Sequence, residues 1–122
     1  MVTNITSLGG KGTSDWLLQR VSALVLLAWI FCVGGSVLFT DGLTYDAWRG
    51  LFDTTAMRVF SLAALLALCA HAWIGMWTIS TDYLTTALLG KSAAVVRLLF
   101  QLACLLVLFT YFVWGIQILW SV

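Results

Sequence analysis

Three continuous apolar stretches, at roughly residues 20 to 39, 58 to 80 and 95 to 120, constrain this chain of 122 residues more than anything else in it. Each meets the ~20-residue length that a helix needs to cross ~30 Å of hydrocarbon. Membrane-spanning β-strands would be short segments of alternating polarity, and these runs are unbroken, so they read as helices that pair their backbone groups within each span. None of them holds an acidic residue. All five acidic residues (Asp15, Asp41, Asp46, Asp53, Asp82) and all six basic ones (Lys11, Arg20, Arg49, Arg58, Lys91, Arg97) fall outside the spans or at their ends, as the cost of charge in lipid requires. With 62% hydrophobic and 9% charged residues, an ordinary soluble domain is excluded. The sequence predicts an all-α integral membrane protein, one domain over residues 1–122, with transmembrane helices at about 16–39, 57–81 and 95–120.

The segment before the first span is polar and rich in Gly, Ser and Thr, and no small-x-small cleavage site closes the span, so we expect that span to be retained rather than removed as a signal. The absence of a transit-peptide pattern points to a bacterial inner membrane. Lys11, Arg20, Lys91 and Arg97 flank one side of the expected topology, and Arg49 and Arg58 the other. Cytoplasmic loops carry the excess of Lys and Arg. The N-terminus is therefore expected inside, with the Asp82 connection on the same side and the C-terminus opposite.

Cys32, Cys69 and Cys104 occur once per span without a C-x-x-C pair, and read as small apolar core residues rather than ligands. Trp16, Trp48 and Trp120 stand near expected interfaces, as an aromatic belt would. There is no proline to kink a span, and Gly34-Gly35 reads as a place for close helix packing. No phosphate loop, nucleophile elbow, repeat or basic nucleic-acid patch is visible.

The one histidine, His71, lies deep in the second apolar run. An ionisable group at membrane depth is costly and is a functional hypothesis by default; imidazole is also a common haem ligand and proton carrier. At about 100° per residue, Ala63, Ala67, His71 and Gly75 share one i, i+4 row, with Ala70 and Thr78 beside it. Such a face admits a close helix neighbour or a flat ring such as a porphyrin. A packing seam in which His71 hydrogen-bonds a neighbour fits the same residues. Asp82, eleven residues on, returns to within about 20° of that face, about 16 Å along the axis. Asp82-Tyr83 can be either a polar pair serving a site or a helix end with an interfacial tyrosine.

The segment His71-Ala-Trp-Ile-Gly-Met-Trp77, followed by Thr81-Asp82-Tyr83, resembles the small, D-type hydrophobic membrane anchor of succinate dehydrogenase, respiratory complex II. Met1-Val2, Asn4, Leu8-Gly9, Asp15, Arg20, Gly42-Leu43-Thr44-Tyr45, Trp48 and Gly50-Leu51-Phe52 are similar too, in the family's order and across most of the chain. Two departures stand out: Ser14 lies near a position where the closest bacterial members carry histidine, and the connection from Leu84 to Arg97 is longer and more polar.

The resemblance implies that His71 is an axial ligand to the iron of a b-type haem. With no second histidine here, the other imidazole would come from a larger cytochrome b anchor subunit, the three helices forming part of a heteromeric bundle with it. Arg20 matches a residue near the haem propionates. Tyr83 matches the residue whose phenol hydrogen-bonds ubiquinone, and Asp82 its neighbour in that site. An iron-sulfur subunit would deliver electrons and a flavoprotein would oxidise succinate, in the tricarboxylic acid cycle and respiratory chain. The chain alone would have no catalytic activity. The rival readings are an anchor of a fumarate reductase or other quinone-linked reductase, and a small transporter or channel in which His71 relays protons or packs.

Overall fold

The computed structural model describes residues 11–121; Met1, Val2, Asn4, Leu8 and Gly9, which contribute to the resemblance, lie outside the described residues. Three long helices dominate: α1 (Lys11–Leu38), α3 (Thr55–Tyr83) and α5 (Ala93–Trp120). Two short ones lie between them, α2 (Tyr45–Gly50) and α4 (Thr86–Leu89). There is no strand among the described residues. All three long helices are long and apolar enough to cross a membrane.

The helix boundaries follow local chemistry. Thr44 Oγ1 accepts from the Ala47 backbone N–H at 3.2 Å and starts α2, and Thr54 Oγ1 does the same for Met57 at 3.2 Å and starts α3. Each satisfies a backbone donor that the first helical turn leaves orphaned. Arg58, in the first turn of α3, turns its guanidinium back so that Nε donates to the Phe52 carbonyl at 3.0 Å, which ties that span to the end of α2. At the other end, α3 stops at Tyr83, and α4 runs into Gly90 at φ +65°, a left-handed conformation that glycine adopts without steric cost. A 3-10 turn, Gly90–Ser92, then feeds α5.

The chain thus runs up, down and up, with α3 in the middle. α1 and α5 both pack on α3 and scarcely touch each other. Among the described residues only five apolar side chains are buried, Val33, Ala64, Ala67, Ala93 and Leu119. Three spans with so few buried side chains lack a closed core of their own; their large apolar side chains face outward, to lipid or to other helices. Lipid tails are as apolar as leucine, so the helices must be held by van der Waals packing and interhelical hydrogen bonds. Three such bonds register the layers: Ser22 with His71 and Trp29 with Ser61 between α1 and α3, and Ser80 with Gln101 between α3 and α5.

Two expectations from the sequence need correction. A Cβ on Gly34 or Gly35 would meet nothing within 4 Å, so the pair makes no close approach among the described residues. The close approach falls at Gly115, where a Cβ would stand 2.7 Å from Leu65 Cδ2. The cysteines are all free, but Cys32 is exposed and Cys69 and Cys104 are only half-buried. Trp16, Trp48 and Trp120 are all exposed, and Trp48, in α2, packs edge-on against Phe52 with ring centroids 5.3 Å apart.

Candidate functional site

His71 sits near the middle of α3, half-buried against α1. Its Nδ1 lies 3.1 Å from Ser22 Oγ, and that hydroxyl also donates to the Gln19 carbonyl at 3.0 Å. Ser22 is 3% exposed, so this contact is sheltered by the α1–α3 seam. Nε2 makes no hydrogen bond among the described residues. The bond that a packing histidine would make is therefore present, and it occupies only one of the two ring nitrogens.

The small-residue row is divided. Ala63 is exposed, Ala67 is buried, and His71 and Gly75 are half-buried towards α1. Gly75 admits Gln19 from α1, whose Nε2 would stand 3.7 Å from a Cβ at that position. The Gln19 Oε1 is buried with no hydrogen-bond partner. One flank of His71 is thus closed by α1, and the row is not left wholly open for a ring.

Asp82 and Tyr83 form the last turn of α3, both exposed, with Tyr83 at 64%. They lie about three turns, roughly 16 to 18 Å, along the axis from His71. Beside them, Ser80 is fully buried; its hydroxyl donates to the Trp77 carbonyl at 2.8 Å and accepts from Gln101 Nε2 at 2.9 Å. From that antiparallel register, Arg97 stands about one turn closer to the helix ends than Gln101, level with Tyr83 and Leu84. Its Nε is buried without a partner. Arg97, Tyr83 and Asp82 thus lie at about the same level at one end of the bundle.

Arg20 is not brought to this group or to His71. Two residues before Ser22, it projects about 160° away from it around α1, exposed, with its guanidinium carbon 5.2 Å from the centre of the Trp16 ring. A cavity of about 590 Å³ lies elsewhere, at the α2 end, walled by Trp29, Tyr45, Trp48, Arg49, Leu65 and Gly115 among others. A smaller cleft of about 230 Å³ is lined by Asp15, Trp73, Ile74 and Trp77, on the same side of the bundle as Tyr83.

Sequence reasoning did not single out Ser22, Gln19, Ser80 or Gln101. Serine and glutamine inside an apolar run are the signal that could have found them, since a polar side chain at membrane depth needs a partner. The donor set suits a haem ligand in one respect and limits it in another. An imidazole held through Nδ1 presents Nε2 as a metal donor, the arrangement that outer-shell hydrogen bonds impose on ligating histidines. No three His, Cys, Asp or Glu side chains gather among the described residues.

Residues 3–112 match the family described as succinate dehydrogenase/fumarate reductase transmembrane subunit. Over 110 residues, covering 90% of each chain, the sequence is also 38% identical to the succinate dehydrogenase hydrophobic membrane anchor subunit of Coxiella burnetii (strain RSA 493 / Nine Mile phase I). Three apolar helices with little core of their own, one half-buried histidine and a match over nine-tenths of the chain lead to one conclusion: this chain belongs to the succinate dehydrogenase/fumarate reductase transmembrane subunit family.

Proposed function

We propose that the chain is the small membrane anchor of a succinate dehydrogenase in a bacterial inner membrane, that His71 supplies one axial ligand to a b-type haem, and that Asp82 and Tyr83 form part of a ubiquinone-reducing site. The observation that carries the reading is His71: a lone imidazole at membrane depth, fixed through Nδ1 and with Nε2 unbonded among the described residues. When bound, the haem supplies a one-electron redox centre within the membrane. A larger cytochrome b anchor would supply the haem's other protein ligand, and iron-sulfur and flavoprotein subunits would complete the assembly.

The residues of this chain have separable tasks. His71 donates a ring nitrogen and is held in orientation by α1. Arg20, exposed on α1 two residues before Ser22, offers a guanidinium to propionate carboxylates, for which its planar fork is suited. Reducing a quinone to a quinol takes two electrons and two protons. The Tyr83 hydroxyl donates a hydrogen bond to one quinone carbonyl oxygen, and Asp82, exposed beside it, passes one proton from water to that oxygen, the second proton going to the other carbonyl oxygen to complete the quinol. Both residues end α3, where an apolar molecule can enter from the lipid while protons arrive from the aqueous face. The N-terminus and the Asp82 connection face the cytoplasm in this reading, which puts Tyr83 on the side where soluble redox subunits dock.

The relative from Coxiella favours succinate oxidation over the fumarate reductase alternative. The transporter or channel alternative gains no support, because among the described residues no acidic side chain accompanies His71 at mid-span. The test is affinity purification of the tagged chain from its native membrane. Co-purifying flavin and iron-sulfur protein, with succinate-dependent ubiquinone reduction, is the expected outcome. A preparation that reduces fumarate from quinol far faster than it reduces ubiquinone from succinate would favour the reductase alternative, and one without flavin would end the proposal.

A further inference from the structure

We infer that Ser22 is a positioning residue for His71, holding the imidazole in the neutral tautomer that leaves Nε2 free to bind iron. The inference rests on the reading of His71 as a haem ligand. A serine hydroxyl has a single hydrogen, and here it is given to the Gln19 carbonyl at 3.0 Å. What Oγ turns towards His71 Nδ1, 3.1 Å away, is then a lone pair. The hydrogen of that contact belongs to Nδ1, and a neutral imidazole protonated at Nδ1 leaves Nε2 with its lone pair exposed. In the opposite tautomer, Ser22 would donate to Nδ1, and Nε2 would carry a hydrogen where the metal must bind.

The surroundings favour the first arrangement. Ser22 is buried in the seam, with the neutral Gln19 one turn before it on the same face of α1 and the carboxylate of Asp15 two turns before it, against Trp73 and Trp77. No carboxylate or cation among the described residues is in hydrogen-bond contact with the ring. A hydroxyl is a weaker acceptor than a carboxylate, so Ser22 fixes the ring direction and adds only a little basicity to it. The same device recurs at Ser80, which also donates within its helix and accepts across the seam, there without a metal-binding partner.

The test uses the whole detergent-solubilised complex, with haem retention against a competing apo-haem acceptor and the potential of the b-haem as readouts. Loss of outer-shell partners typically weakens metal binding about 10- to 100-fold. Ser22→Ala should weaken haem retention by about that factor and raise the potential, because a less basic imidazole stabilises ferric iron less. Ser22→Thr keeps the hydroxyl and should restore both readouts. If Ser22→Ala does not accumulate, Ser22→Cys, a poorer acceptor of similar size, carries the same expectation. Unchanged retention and potential in Ser22→Ala or Ser22→Cys, in a complex whose haem is lost on His71→Ala, would overturn the role of Ser22 and leave the ligand assignment standing. Haem that stays low-spin in His71→Ala would instead overturn the ligand assignment, and the role of Ser22 with it.

Discussion

Gly115 of α5 and Leu65 of α3 meet so closely that a β-carbon on Gly115 would lie 2.7 Å from Leu65 Cδ2 and 3.2 Å from Cδ1. This contact sets how near α5 can come to α3 at the α2 end of the bundle. An alanine there can be accommodated if the flexible end of Leu65 swings away, and a branched residue has no such escape. Gly115→Ala is expected to lower the thermal stability of the detergent-solubilised complex slightly, and Gly115→Val by about 1–3 kcal/mol, the usual cost of overpacking. By contrast Gly34→Ala and Gly35→Ala, which meet nothing within 4 Å, should be neutral or gain up to about 1 kcal/mol of helix propensity. Thermal unfolding of the four variants side by side checks this; a large loss at Gly34 would show another subunit packed against it.

The Ser80–Gln101 bond predicts an asymmetric pair of mutants. Gln101→Leu removes a donor but leaves the Ser80 hydroxyl bonded to the Trp77 carbonyl. Ser80→Ala, in contrast, strands the Gln101 amide inside the bundle. Interhelical hydrogen bonds in membranes average about 0.6 kcal/mol and reach about 1.7, so Ser80→Ala should cost about 1 kcal/mol and Gln101→Leu distinctly less. Denaturant-dependent dissociation of the complex would show the ranking, and equal losses would contradict the bond.

Arg20 separates two roles by electrostatics. If it pairs with propionates, Arg20→Ala should lower the haem potential, since a nearby positive charge favours the reduced form. It should also loosen haem binding about tenfold or more, as loss of a charge-assisted hydrogen bond implies. If its work is only to lie over Trp16, Trp16→Ala and Arg20→Ala should resemble each other and leave the potential alone. Redox titration of both variants decides it.

Much of the fold can be read in the sequence, because the length of an apolar run and the exclusion of charge from lipid act on composition alone. The three spans and their charged ends are of this kind. The short helix α2 is also written locally, in the Thr44 cap, Asp46 in its first turn and Arg49 in its last, but its few residues are hidden by the stronger signal of the spans. Which glycine touches a neighbour is not local. Gly34-Gly35 and Gly115 look alike in sequence, and only the rotation of each helix about its axis assigns the contact to Gly115. The site divides in the same way: His71 stands out as an ionisable group at depth, whereas Ser22 acquires meaning only when α1 brings its hydroxyl to the imidazole.

Tyr83→Phe removes one hydroxyl at the end of α3 and should lower kcat/KM for ubiquinone by about 10- to 100-fold, the loss of a hydrogen bond at a partly desolvated site. The haem spectrum should not change, because His71 lies three turns away. Asp82→Asn should spare quinone affinity and slow turnover, as expected of a group that moves protons rather than holding the ring. Steady-state quinone reduction with an unaltered succinate-to-dye rate checks both. Wild-type quinone kinetics in Tyr83→Phe would move the site away from this end of the chain.

The most direct test of the account is the reduced-minus-oxidised visible spectrum of the purified complex, carrying this chain either as wild type or as His71→Ala. The account expects a six-coordinate, low-spin b-type haem in the wild type, and its loss or conversion to a five-coordinate form in His71→Ala with the helices still assembled. An unchanged low-spin spectrum in His71→Ala, or a wild-type complex containing flavin but no haem, would contradict it.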